Sequence, residues 1–225
     1  MLFRSGAVSV LPISTLLTAP LARRVDAVDA RAAAGVILIA GGLAALALLP
    51  KASVALTLPP QALVGVGLAL TLSALIEAAL AGRSRQAIHG GWTIAARSAG
   101  VVAGLLVLTP VFTADLASER DDAERAGTAA LLDASLPPEA KIALAVRIAD
   151  QIEAEGERVP ALGPAFEPLP DDPAERAQTI SLRTTIEEEV DKAATHAFSA
   201  SFLIAAGFAL VALVPIAIAR RRIEL

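Results

Sequence analysis

Two ionisable side chains stand inside long apolar runs, and they are the residues of this sequence best placed to do chemistry. Glu77 lies in "LTLSALIEAALAGR" and Arg97 in "WTIAARSAGVVAGLLVLTPVF". An arginine at the centre of a membrane-spanning helix costs roughly 2.5–3.5 kcal/mol on insertion scales, so it needs a partner, water or a use. Counted at 1.5 Å per residue from the ends of their helices, Glu77 and Arg97 lie at depths of ~8 and ~10 Å on the same side. Two arrangements satisfy that placement. The residues pair or share a wet cavity across the short turn near His89, or Arg97 snorkels to the headgroups while Glu77 titrates near the interface. Three residues past Arg97, Gly100-x-x-x-Gly104 is suited to close helix contact.

The elements that must position these groups are set by pooled hydrophobicity. The mean hydropathy is +0.64, and charged residues are 19% where a soluble domain has about a quarter. The apolar residues form blocks long enough, at about 18 residues or more, to cross ~30 Å of hydrocarbon. Five spans are expected, over residues 6–22, 32–50, 59–82, 90–115 and 196–219, the third helix starting at Pro59 or Pro60. Pro12, Pro110 and Pro215 are expected to interrupt the first, fourth and last of these.

Charge is divided unevenly. Asp115 to Asp191 holds 19 of the 23 acidic residues and, with Lys192, nets −11, whereas the rest of the chain nets +7. Bases cluster in alternate loops: Arg23, Arg24 and Arg31, then Arg83 and Arg85, then Arg220 to Arg222. With five spans these loops share one face, which the positive-inside rule makes cytoplasmic. The C-terminus is then inside, the acidic residues 116–195 are outside, and residues 1–115 and 196–225 form the membrane part of a multi-pass inner-membrane protein. Cleaving Gly6–Ala22 as a signal peptide would reverse that sidedness, so the segment is read as a span.

The insert reads as helical. "PPEAKIALAVRIADQIEAEGE" sets Ile142, Val146, Ala149 and Ile152 on one face, "VPALGPAFEPLPDDP" is an extended connector, and a helix from Ala174 leads into the last span. The acidic run Glu187 to Glu189 is either a solvated face or a cation-attracting surface.

Enzymatic chemistry has no visible constellation. There is no cysteine, the two histidines are at span ends, and no metal-ligand or phosphate-loop spacing occurs. No cofactor is expected. The bases rim a membrane and are not interleaved with aromatics, so no nucleic-acid partner is expected either.

"GWTIAARSAGVVAGLLVL" resembles the penultimate helix of major facilitator superfamily exporters of the fourteen-span drug:proton antiporter type. Arg97, Gly100 and Gly104 match its R-x-x-G-x-x-x-G, while Ser98 and Ile94 depart from the usual glutamine and asparagine. "LLTAPLARRVDAVDAR" looks like the cytoplasmic loop G-x-L-x-D-R-x-G-R-R of that family, with Arg23 at the aspartate position and no glycine following. The long insert before the last helix also suits these proteins. The resemblance implies an all-α integral membrane protein, the last five helices of such a fold, acting with an N-terminal half that is missing here; Leu2 to Ser5 read as an assembly artefact. Its partners would be the bilayer, protons and a small amphipathic substrate moved by alternating access, with Arg97 a structural and gating residue. The competing expectation is a non-transporting membrane anchor whose acidic outer helices bind a partner.

Overall fold

The computed structural model describes residues 10–22, 27–50, 53–80, 86–155 and 161–223. These residues are helical throughout, with no strand among them. In order they form α1 (Leu11–Ala22), α2 (Val28–Ala47), α3 (Val54–Leu80), α4 (Gln86–Asp133), α5 (Pro138–Glu155), a 3-10 turn (Gly163–Phe166), α6 (Pro173–His196), α7 (Ser199–Val211) and α8 (Leu213–Ile223). Four helical stretches are long and apolar enough to cross a membrane: Val28–Ala47, Val54–Leu80, Gly90–Asp133 and Pro173–Ile218. The described part of the first expected span, α1, is 12 residues, ~18 Å, shorter than the hydrocarbon is thick. The chain divides into two compact units, residues 1–113 with 198–225, and residues 114–197.

Local chemistry moves several helix ends away from the hydropathy boundaries. Pro12 does not interrupt α1; it sits in the first turn, where the missing N–H would have no intrahelical acceptor in any case. α3 starts at Val54 and not at Pro59, because Ser53 caps it: the Ser53 Oγ accepts from the Leu56 N–H at 3.3 Å. Pro59 and Pro60 therefore lie within the helix. α4 runs unbroken past Pro110. The last span does break, at Ala212, because Pro215 offers no N–H to the Val211 carbonyl and its ring crowds that oxygen.

In the first unit α2 is central, lying against α3, α7 and α8, while α1 lies against α3. The α2–α3 contact is antiparallel and built on glycines. A Cβ at Gly35 would come 2.6 Å from the Gly67 carbonyl oxygen, and one at Gly42 would come 2.8 Å from that of Pro60. Those separations bring backbone against backbone, the close approach that small residues permit in membranes. Towards α1, Thr15 donates to the Gly65 carbonyl at 3.0 Å as well as to its own helix at 2.8 Å. At the other end of α2, the Ser199 hydroxyl of α7 donates to the Ala47 carbonyl at 2.9 Å.

The second unit has its own core of Leu144, Leu162, Ala165, Phe166, Leu182 and Ile186. Here two expectations are corrected. The face of α5 turned inward carries Leu144, Ile148 and Ile152, whereas Ile142 and Val146 are 68% and 55% exposed. A stripe at i, i+4, i+8 of three large side chains buries more apolar area than one diluted by Val146 and Ala149. The proline-rich connector is not simply extended. Its 3-10 turn drives Leu162 and Phe166 into the core, where they are the most buried large side chains of the described residues.

Candidate functional site

The stripe of α2 that meets α3 reads Arg31, Gly35, Gly42, and the facing stripe of α3 reads Pro60, Val64, Gly67, Thr71, Ala74, ending near Glu77. Small residues let the helices close together, so the long side chains at one end of the seam are brought into contact. There the Arg31 Nη2 donates to the Glu77 Oε2. The sequence reading assigned Arg31 to a cytoplasmic loop; it is instead inside α2, because Asp29 and the alanines around it extend the helix towards its N-terminus.

The pair is asymmetric. The Arg31 side chain is 1% exposed and that of Glu77 is 53% exposed. A guanidinium withdrawn from solvent that far is tolerated because its charge is met by a carboxylate. The antiparallel packing helps as well. Arg31 stands in the first turns of α2 and Glu77 in the last turn of α3, each at the end of its own helix that disfavours its charge. Each faces the end of the neighbouring helix that favours it, so the dipoles, worth about 0.3–1 kcal/mol at such positions, largely compensate. Farther along the seam the Thr71 hydroxyl is buried against Gly35, with no hydrogen-bond partner among the described residues. The Ser201 hydroxyl of α7 is buried in the same condition.

The structure does not bring Glu77 and Arg97 together. Arg97 is exposed on α4, and no ion pair or hydrogen bond reaches it among the described residues. Gly100 and Gly104 make no close contact either, since a Cβ at each would meet nothing within 4 Å. Among the described residues, the glycines at close helix contacts are Gly35, Gly42, Gly65 and Gly67. Their signal was present in the sequence as the spacing from Arg31 through Gly35 to Gly42, which puts the arginine on the small-residue stripe. Arg23 and Arg24 lie outside the described residues.

What this arrangement can do chemically is hold one carboxylate, half open, beside a fixed cation between two membrane-length helices. Compared with protein-family models, with curated proteins and with solved structures, the chain matches none.

Proposed function

We propose that this protein is part of a proton-coupled membrane exporter of small amphipathic molecules, working by alternating access. The observation that carries the reading is the Arg31–Glu77 ion pair at the contact of two helices long enough to span a membrane. Ionisable groups in such helices are costly to keep and mark proton or substrate paths in transporters. The proline break between α7 and α8 and the glycine-lined crossing of α2 and α3 support it further, as features that let helices rock or re-pack. In this reading Glu77 is the proton-accepting carboxylate, Arg31 is its countercharge, and Arg97 is a gating residue at the same membrane level. The basic loops face the cytoplasm of a cell whose inner membrane holds the protein, and residues 116–195 face outward. A further membrane half completes the substrate path.

A second reading is favoured by one feature. Residues 114–197 close around their own core, as a folded outer unit that binds a partner would, with the spans as anchor.

Drug efflux from energised vesicles separates the two. The exporter reading expects efflux that collapses with the proton gradient, is lost in Glu77→Gln, and is reduced in Arg97→Ala. Efflux unchanged in both variants would remove these side chains from the transport path, and absence of any gradient-driven efflux from the full-length clone would leave the anchor.

A further inference from the structure

Within α4, residues 98–114 carry no charge, and Asp115 is the first ionisable residue beyond them. A hydrocarbon layer ~30 Å thick takes ~20 residues of helix. Counted back from Asp115, that layer ends near Ala95, so Arg97 lies only ~3 Å inside its other edge. Trp92, the one tryptophan of the chain and 72% exposed, falls a turn beyond that edge, at the headgroup level where tryptophans collect. The membrane stretch of α4 has 0% of its residues buried within the described chain, and in a bilayer that surface meets lipid. The Cα–Cβ bonds of a helix tilt toward its N-terminus, and for Arg97 that direction leads out of the hydrocarbon. Its stem therefore lies along α4 in the apolar layer while the guanidinium rises to the phosphates. Gly90 stands two turns above it and about 20° around the helix. A Cβ at Gly90 would meet nothing within 4 Å, so the way up is clear. Below, Gly100 and Gly104 fall within about 60° of the same line and are equally open.

We propose that Arg97 binds the phosphodiester of an anionic phospholipid in the leaflet that meets the N-terminal end of α4, with an acyl chain lying along Gly100 and Gly104. The guanidinium is a planar fork of donors that suits two phosphate oxygens at once. Its level is that of the lipid phosphates, and no carboxylate of the described chain meets it, since Glu77 is engaged by Arg31. A zwitterionic lipid offers a phosphate too, but its own ammonium stands beside it, so the cation favours a headgroup that is net negative. The space beside the two glycines suits a hydrocarbon chain, which a soluble anion lacks. The proposal rests on the membrane assignment and not on transport, so lipid binding and efflux succeed or fail separately.

A chain with one tryptophan makes the site readable by fluorescence quenching. In a Trp92→Phe background, Val101→Trp puts an indole about 40° from the Arg97 line and ~6 Å deeper, whereas Val102→Trp puts one about 140° away at nearly the same depth. The two positions are exposed alike, at 56% and 57%. The intact chain is reconstituted into phosphatidylcholine bilayers with a fixed minor fraction of phosphatidylglycerol, bromine being carried on the acyl chains of one lipid or the other. In the Val101→Trp protein, brominated phosphatidylglycerol should quench as if enriched about fivefold over its bulk fraction, the preference that one basic residue gives near a membrane surface. The Val102→Trp protein should show no enrichment. Arg97→Gln should abolish the enrichment seen with Val101→Trp and leave quenching by brominated phosphatidylcholine intact, which separates lost lipid binding from lost insertion. Enrichment equal at the two positions, absent from both, or unchanged by Arg97→Gln would overturn the proposal. Displacement of the lipid by inorganic phosphate would do so too, assigning the guanidinium to a soluble anion. So would a Val101→Trp indole that neither brominated lipid quenches, which would give this face to another protein surface.

Discussion

Gly67→Ala tests the glycine seam of α2 and α3 with a single methyl group. The added Cβ would lie 2.6 Å from the Gly35 carbonyl oxygen and 2.8 Å from both the Ile39 amide nitrogen and its Cγ1. Two of these three neighbours are backbone and cannot rotate away. Comfortable carbon contacts lie near 3.5–4.0 Å, so the helices must part by roughly 1 Å along the most extensive helix contact of the first unit. Overpacking of this kind costs about 1–3 kcal/mol. The natural control is in the same seam's own helix: Gly41, where an added Cβ meets nothing within 4 Å. There alanine should be neutral or stabilise by up to about 1 kcal/mol through helix propensity. Reversible unfolding in mixed micelles, followed by helical signal against denaturing detergent, reads the difference directly. Gly67→Ala should unfold at lower denaturant than the parent and Gly41→Ala should not. Equal behaviour of the two variants would refute the argument that Gly67 is where backbone meets backbone.

Three further outcomes follow from the same geometry. Arg31→Met and Glu77→Gln should each destabilise the first unit, and the double variant should cost less than the sum, with a coupling of about 0.5–3 kcal/mol in a double-mutant cycle; additivity would contradict the pair. In the second unit, Phe166→Ala should cost about 3–5 kcal/mol whereas Ile142→Ala stays within about 0.5 kcal/mol, measured as hydrogen-exchange protection of α5 and α6 in the intact protein; similar losses would restore the other face of α5 to the core. Asp191 is held above its usual 3.8 by burial and then by the Glu187 carboxylate one turn away. A raised carboxylate pKa opposes folding once the group ionises, so stability from this site is fullest below 3.8 and falls as pH rises through the raised value. Asp191→Asn should therefore raise the protection of α6 at neutral pH and change it little near pH 3, and a variant less protected at neutral pH would reverse the sign.

The membrane-length helices were legible because α2, α3 and the first part of α4 are nearly uncharged over enough residues to cross a bilayer, and length is a coarse property. Their ends and faces were less so. The cap that starts α3 is a single hydroxyl, Ser53, and the two prolines that follow looked like a stronger boundary. Arg31 follows Arg23 and Arg24 by seven to eight residues and was grouped with them. Its membership of the Gly35–Gly42 stripe becomes apparent only when those glycines are read as a contact surface. Glu77 stood out as an ionisable group within an apolar run, but the partner its spacing suggested was on the next helix in sequence, whereas antiparallel packing supplies one from the previous helix. For α5, Ile142 and Val146 carry a valid helical period, and so do Leu144, Ile148 and Ile152. Which stripe turns inward depends on Phe166 and Leu162, which enter from a proline-rich stretch whose composition suggests only a linker.

We propose a topology in which the arginine-rich segments face the cytoplasm and the acidic residues 116–195 lie outside. Reaction of single introduced cysteines with a membrane-impermeant maleimide tests it most directly, using Asp150→Cys in the second unit and Arg85→Cys, which lies between α3 and α4 in sequence. Intact cells should label Asp150→Cys, and Arg85→Cys should label only after the membrane is opened. Labelling of Arg85→Cys in intact cells with Asp150→Cys protected would invert the topology, and labelling of both would contradict a membrane-spanning α4.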